Sequence, residues 1–415
     1  MIFLNRFFFP DHSATSQMLG DLAFALARDG ERIVVITSRQ RYDAPQARLP
    51  TRENVEGVEI YRVWTSRFGR NFLPGRAVDY LTFHIGAAWI LWRMARRGEV
   101  VVAKTDPPLL CLVAGLVAWL RGAILVNWLQ DVFPEVAMEL GVGRGRLAHL
   151  GHGLLRWLRD RSLRGAALNV AIGQRMAHRL KALGLPEQRI AVIPNWADGA
   201  IIHPVPPEDN PLRAQWTREG ALVVGYAGNL GRAYDYDTML DAIIRLEQEA
   251  TATARSAPIL WLFVGGGTQY EGLRDAVRVR GLTSVRFEPY QSRARLAQTL
   301  SVPDVHLVTL RPTLEGLIVP SKFYGIAAAG RPTVFIGDQA GEIALELERH
   351  GCGLTVAHGD GAGLARILRE LARQPEVRAQ MGAKARDAFL RHYDKTQAIE
   401  RWREHLHALK SRARP

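Results

Sequence analysis

Residues 304–332 of this 415-residue chain read "DVHLVTLRPTLEGLIVPSKFYGIAAAGRP". The opening "DVHLVTL" is a short, nearly continuous apolar run, the composition of a strand buried on both faces. Glu315 and Gly316 fall just beyond its carboxyl end, and Pro320 with Ser321 introduces a helix over 321–329 with Lys322 at its start. A strand that delivers one carboxylate and one cation at its carboxyl end and then turns into a helix is one unit of a doubly wound parallel sheet. The small residues of "GIAAAG" read as close helix packing.

The same unit repeats in both directions. Toward the amino end the strand candidates are 1–9, 32–38, 58–64, 100–105, 123–129, 168–173 and 189–195, and in the second half 221–228, 259–267, 284–289, 304–310 and 332–337. A chain of this length exceeds one ordinary core, since domains run to about 100–200 residues. Residues 194–212 carry five prolines and several turn formers, a linker composition. Two doubly wound domains are therefore expected, with ligands bound outside the carboxyl ends of the strands. The tail 396–411 reads as a final helix with Trp402 and Leu406 on one side.

Two glycine-bearing turns follow successive strands of the second half. In "YAGNLGRAYDYDTML", Gly228 and Gly231 allow close backbone approach to an anionic ligand, and Arg232 adds a fixed cation; "FVGGGT" repeats the pattern with Gly265 and Gly266. Asp235 and Asp237 admit two readings, a DxD metal site or a helix cap by Asp237, and the cap over a helix 238–248 is the simpler. Arg232 and Lys322, from separate loops, would together hold a diphosphate without metal and stabilise a phosphate leaving group.

In the first half, Ser13, Thr15 and Ser16 sit where the first strand turns into a helix, placed for capping or for a polar ligand. Gln130 and Asp131 close another strand. The segments 80–97 and 149–165 combine Trp, Leu or Ile with basic ends, the pattern of a surface that lies against a membrane as well as of ordinary amphipathic helices. Residues 1–195 hold 26 Lys and Arg against 16 Asp and Glu, so most of the +13 net charge belongs to this half. That charge suits anionic lipid or anionic ligands; the signatures of a nucleic-acid reader are absent from the sequence. The longest apolar run, 109–120, is shorter than the ~18–20 residues that span a bilayer. "MIFLNRFFFP" reads as a buried strand and not as a signal peptide, and Cys111 and Cys352 lack metal-site spacing, consistent with a reducing compartment.

The motifs "PDHSATSQML", "KTDPPLL", "NWLQDVFPEVA", "PNWAD", "GYAGNLGRAYDYDTML", "FVGGG", "DVHLVTLRPTLEGLIVPSKFYGIAAAGRP" and "GDQAGEIA", in that order over nearly the whole chain, resemble the bacterial family 4 glycosyltransferases of exopolysaccharide and colanic-acid-type biosynthesis. The resemblance implies an α/β GT-B fold with two Rossmann-like domains across a cleft: 1–195 for the acceptor and the membrane, 196–395 for the nucleotide-sugar, and 396–415 as a helix crossing back. It implies a retaining, metal-independent hexosyltransferase with no cofactor, moving sugar from a UDP- or GDP-sugar to a polyprenyl-diphosphate-linked saccharide. It also implies a cytoplasmic enzyme, peripheral on the inner face of the membrane, and no nucleic-acid partner.

By the same resemblance Asp131 and Glu315 would be catalytic, Glu315 holding donor-sugar hydroxyls. Gly228, Asn229, Gly231, Arg232, Gly265, Gly266, Ser321, Lys322 and Glu342 would bind the donor, and Ser13, Thr15 and Gln130 the acceptor. Gln130-Asp131 stands where many relatives carry His-Asp. Eight residues after Glu315, where relatives have a second Glu for ribose, this chain has Phe323, or Gly325 if aligned on the small-residue helix; Glu342 is the expected substitute. An epimerase on the same fold and a non-catalytic member of a glycan assembly complex are the alternatives.

Overall fold

The structure, a computed structural model, describes residues 1–42, 44, 46–69, 73–141, 146–218, 220–252 and 258–413. The chain divides into two compact units: Met1–Pro194 with Gly316–Ile318 and Ala398–Pro415, and Asn195–Glu315 with Val319–Gln397.

The first unit holds strands β1 (Ile2–Leu4), β2 (Ile33–Ser38), β3 (Arg52–Val55), β4 (Val58–Val63), β5 (Val100–Ala103), β6 (Ile124–Trp128), β7 (Leu168–Ala171) and β8 (Ile190–Val192). They form one sheet in the order β3-β4-β2-β1-β5-β6-β7-β8, parallel except for β3, which pairs antiparallel with β4 at the edge. All six residues of β2 and all four of β5 are buried, as strands covered on both faces require. The helices Leu73–Met94 and Leu110–Arg121 send Phe83, Ala87, Leu91, Leu110, Ala114 and Val117 into the core against Ile2, Val34, Val101 and Leu125.

The second unit holds β9 (Leu222–Asn229), β10 (Ile259–Gly266), β11 (Val285–Glu288), β12 (Val305–Thr309), β13 (Thr333–Gly337) and β14 (Gly353–Ala357), all parallel, in the order β11-β10-β9-β12-β13-β14. Strand order therefore reverses between β1 and β5 in the first unit and between β9 and β12 in the second. Such switch points open a crevice at the carboxyl ends of the two central strands.

Several sequence expectations shift. The first strand ends at Leu4 and not at residue 9, because Phe7 and Phe8 are buried from a loop rather than from the sheet. β3 and β14 lie outside the expected set. The helix expected from 238 runs Asp237–Ala252, and Asp235 caps it: its carboxylate accepts from the Asp237 and Thr238 amides at 3.0 and 3.3 Å. Asp237 does not cap. Asp235 is buried, with Thr238 Oγ1 at 2.5 Å, so the DxD reading loses one of its two ligands to the helix start. The final helix runs Lys395–Ala413 and buries Trp402 and Leu406 fully, Trp402 packing on Trp128 at 4.6 Å.

Candidate functional site

The structure joins the residues singled out in the second unit around the β9–β12 switch point. β9 and β10 pair in register to their ends, Gly228 opposite Gly265 and Asn229 opposite Gly266, so the two glycine turns lie side by side. Gly265 has φ +137°, and a Cβ there would stand 2.4 Å from the Gly228 carbonyl oxygen. Gly265 is thus required by the packing of one turn on the other. At Gly266 the neighbour of a Cβ would be the ring of Tyr290, 3.2 Å away.

Lys322 opens the helix Lys322–Ala328, which follows β12 by way of the Glu315–Pro320 loop. Its side chain runs over Gly228, where φ is +111° and a Cβ would come within 3.1 Å of the lysine Cε. Its Nζ donates to the Asn229 carbonyl at 2.9 Å. The ammonium also lies 3.9 Å from the Tyr234 ring centroid and 5.1 Å from that of Tyr226. Enclosure by these groups pushes the Lys322 pKa down to about 7. Arg232 is exposed and forms no ion pair among the described residues. Ser321 stands at the helix start without a side-chain cap bond.

Glu315 has a structural partner that sequence did not suggest. Its Oε2 accepts the Glu342 amide at 3.1 Å, at the start of the helix Glu342–His350, whose N-cap, Gly341, offers no side chain. A Cβ on Gly341 would stand 2.3 Å from Glu315 Oε1, so the glycine makes room for the carboxylate. Glu342 itself is buried. Its charge, after burial, helps to raise the Tyr324 hydroxyl pKa. Phe323 is buried, so its position holds core in place of a carboxylate.

The first unit gathers its own candidates at strand ends. Asp11, rather than Ser13, organises the turn after β1: its Oδ1 accepts the Ser13 amide at 2.8 Å, while Ser13 makes no side-chain cap bond to its helix. The Thr15 carbonyl accepts from Lys104 Nζ at 3.1 Å, and Ser16 Oγ donates to the Asp11 carbonyl at 3.3 Å. The loop after β6 carries Gln130 and Asp131 and is held by Arg159, which grips Glu135 through two 2.9 Å bonds and the Phe133 carbonyl at 3.0 Å. Within this unit Asp131 also bridges to Ile318, and Val132 N donates to the Leu317 carbonyl at 2.9 Å. Burial raises the Asp131 pKa to about 6, against the opposing hydrogen bond of Thr105. Asp131 and Thr105 help to line a cavity of about 20 Å³, room for roughly one water.

The tyrosines around Lys322 and the Arg159–Glu135 clamp were missed in the sequence. A clue to the first was present: Tyr226 and Tyr234 flank the "AGNLGR" turn. Pairing them with a lysine 88 residues beyond Tyr234 requires the β9–β12 adjacency.

Residues 14–196 match the glycosyl transferase 4-like domain. The chain is 31% identical over 280 residues to the probable glycosyltransferase WbjE of Pseudomonas aeruginosa, covering 67% of each chain. It is 27% identical over 348 residues to the putative colanic acid biosynthesis glycosyl transferase WcaI of Escherichia coli strain K12, covering 80% of this chain and 82% of that one. Among solved structures, Anabaena Alr3699/HepE in complex with UDP-glucose gives a TM-score of 0.71 at 17% identity, with 98% of this chain and 99% of that one covered. WaaG, a glycosyltransferase involved in lipopolysaccharide biosynthesis, gives 0.69 at 15% identity over 98% and 99%. At such identities these two structures establish the fold, the two-domain GT-B arrangement of parallel sheets.

Proposed function

The chain belongs to the bacterial family 4-like glycosyltransferases, and from that membership we propose that it moves a hexosyl group from a UDP- or GDP-sugar to a lipid-linked saccharide during synthesis of a cell-surface polysaccharide. The observation that carries this reading is Lys322. An ammonium fixed at the β9–β12 switch point, bonded only to a neutral carbonyl and facing no carboxylate within ion-pair distance among the described residues, is a socket for an anion. Arg232, exposed on the adjoining turn, supplies a second cation for the same diphosphate.

In this mechanism the bond between the sugar C1 and the β-phosphate oxygen breaks, and the acceptor oxygen bonds to C1 on the same face. The acceptor proton passes to the departing phosphate oxygen, and configuration is retained. Lys322 and Arg232 stabilise the charge that grows on the diphosphate, so no metal is required. Glu315 accepts from donor-sugar hydroxyls, and Glu342 stands in for the ribose-binding carboxylate that Phe323 replaces. Gln130 and Asp131 serve the transferred sugar and its acceptor, with Ser13 and Thr15 nearby in the same unit. The backbone of Gly228, Asn229, Gly231, Gly266 and Ser321 lies along the phosphate path, and Gly265 supports it.

The first unit also carries the surface a lipid-linked acceptor calls for. Of the ten tryptophans, Trp64, Trp89, Trp92, Trp119 and Trp157 are exposed, Trp119 to 76%, and all five belong to this unit. Val78, Leu81, Ile85, Trp89 and Trp92 recur at helical spacing on Leu73–Met94. Exposed Arg93, Arg96, Arg97 and Arg121 stand at the ends of Leu73–Met94 and Leu110–Arg121. Among the described residues no helix is long and apolar enough to cross a membrane. An apolar, tryptophan-rich face with arginines beside it suits partial insertion into an anionic bilayer. Sedimentation with phosphatidylglycerol vesicles should bind the wild type and lose most of a Trp89→Ala/Trp119→Ala variant; equal binding of both would count against this surface.

Transfer itself is tested by release of UDP or GDP in the presence and absence of a polyprenyl-diphosphate saccharide, with and without EDTA. Acceptor-dependent release that survives EDTA and collapses in Lys322→Ala is the expected result. Conversion of the nucleotide-sugar to its epimer, with no nucleotide release and no need of acceptor, would favour the epimerase, and full activity in Lys322→Ala would sink the diphosphate assignment.

A further inference from the structure

Lys322 is held by more than its one hydrogen bond. Tyr226, on β9, and Tyr234, in the turn that follows, present their rings to its ammonium at 5.1 and 3.9 Å. The Asn229 carbonyl that accepts from Lys322 at 2.9 Å also accepts from the Tyr226 hydroxyl at 3.0 Å, so a single oxygen serves two donors. Gly228 closes the box beneath the side chain and cannot carry a Cβ without pressing on it. The titratable groups around Lys322 are these two phenols and, beyond Tyr226, Tyr290. Burial raises the hydroxyl pKa of Tyr226 well above its usual value and that of Tyr234 to about 12, so both stay neutral. Lys322 has no ion-pair partner among the described residues, and burial is the sole cause acting on its own titration.

A cation so placed has quadrupoles and one shared carbonyl for company, and no counter-charge. We propose that Tyr226 and Tyr234 are positioning residues that form an aromatic box around Lys322, and that a nucleoside diphosphate entering this site supplies the missing negative charge, so that its binding is coupled to uptake of one proton by the lysine amine. The proposal rests on the reading that Lys322 binds the donor diphosphate. The balance is simple: the free amine takes a proton from solvent, and the resulting ammonium pairs with the diphosphate. With a pKa of about 7 in the free protein, the amine is mostly neutral at pH 8 and must be recharged for the ion pair to form. From pH 7 to 9 affinity should fall as pH rises, because the charged form is the one that binds.

Isothermal titration calorimetry of the full chain with UDP, and separately with GDP, tests this at pH 8.0 in HEPES and in Tris, whose different ionisation heats report the protons exchanged. The terminal phosphate of either nucleotide has a pKa near ~6 and is fully ionised at pH 8, so it contributes no proton. Uptake close to one proton per nucleotide is expected, with affinity falling up to about tenfold between pH 7.5 and 8.5. Tyr234→Phe should keep both features, because the ring face remains. Tyr234→Leu should let water reach the amine, cut the uptake by at least half and flatten the pH slope. Uptake near zero in a wild type whose binding is lost in Lys322→Met overturns the coupling and leaves the diphosphate reading standing. Uptake unchanged by Tyr234→Leu overturns the role of the box. Wild-type affinity in Lys322→Met, or no binding of either nucleotide, overturns the diphosphate reading and the coupling with it.

Discussion

Each unit places a lysine at its own switch point, and the two lysines have nearly the same surroundings. Lys104 follows β5, donates to the Thr15 carbonyl at 3.1 Å and lies 3.5 Å from the Trp128 ring centroid. Lys322 follows β12, donates to the Asn229 carbonyl at 2.9 Å and lies 3.9 Å from the Tyr234 ring. Burial lowers both pKa values, that of Lys104 well below the usual lysine range, against the pull of Asp106. What separates them is access. Lys104 is 1% exposed and lies against Trp128, which Trp402 packs in turn. Lys322 keeps part of its surface open, next to exposed Asn229 and Arg232. One amine over an aromatic ring is therefore a piece of core and the other a ligand socket, and residue type alone does not tell them apart.

The comparison breaks if the two lysines respond alike to substitution. Lys322→Ala should lower kcat by about 100-fold or more, the scale expected when a group that stabilises a leaving charge is removed, with no change in melting temperature. Gly228→Ala should come next. The left-handed backbone disfavours a Cβ and the lysine lies against it, so a loss of roughly tenfold in kcat/KM and about 1 kcal/mol in stability is expected from steady-state kinetics and chemical denaturation.

Asp131 sharpens the contrast from the unit of Lys104. Its folded pKa of about 6 exceeds the 3.8 of a solvated aspartate, so the stability it contributes is present below about pH 4 and is lost as pH rises through about 6. Asp131→Asn should therefore stabilise the protein at pH 8 by ~1–2 kcal/mol, the value discounted for partial exposure, and by nothing at pH 4, as urea melts at both pH values would show. Lys104→Met should have the smallest effect. It removes a buried cation without an ion-pair partner among the described residues and puts a flexible apolar chain against Trp128, so stability should hold within about 1 kcal/mol and nucleotide affinity should not change. Nucleotide binding lost in Lys104→Met would erase the distinction between the two sites.

Much of this arrangement was legible in the residues. Continuous apolar strands separated by helical patterns gave away the two parallel sheets, because a strand covered on both faces has no polar alternation to hide it. β3 escaped notice because Arg52–Val55 is a polar edge strand half open to solvent, and β14 because Gly353–Ala357 is short and only partly buried. The cap passed from Asp237 to Asp235 because the helix starts at Asp237, one residue earlier than expected, and the open amides of its first turn, those of Asp237 and Thr238, lie two and three residues after Asp235. The candidates Glu315, catalytic, and Lys322, donor-binding, stood out as isolated charges after a buried strand. Their contacts did not: Tyr226 and Tyr234 meet Lys322 only through strand adjacency, and Glu342, named by resemblance for ribose, meets Glu315 only through loop closure.

The central claim is that a donor diphosphate sits at Lys322, at the β9–β12 switch point. A crystal structure of the protein soaked with UDP or GDP tests it most directly. The account predicts phosphate oxygens within ion-pair distance, about 4 Å, of Lys322 Nζ, with Arg232 turned toward the same group. A nucleotide bound with its phosphates elsewhere, and Lys322 still paired only with the Asn229 carbonyl, would contradict it.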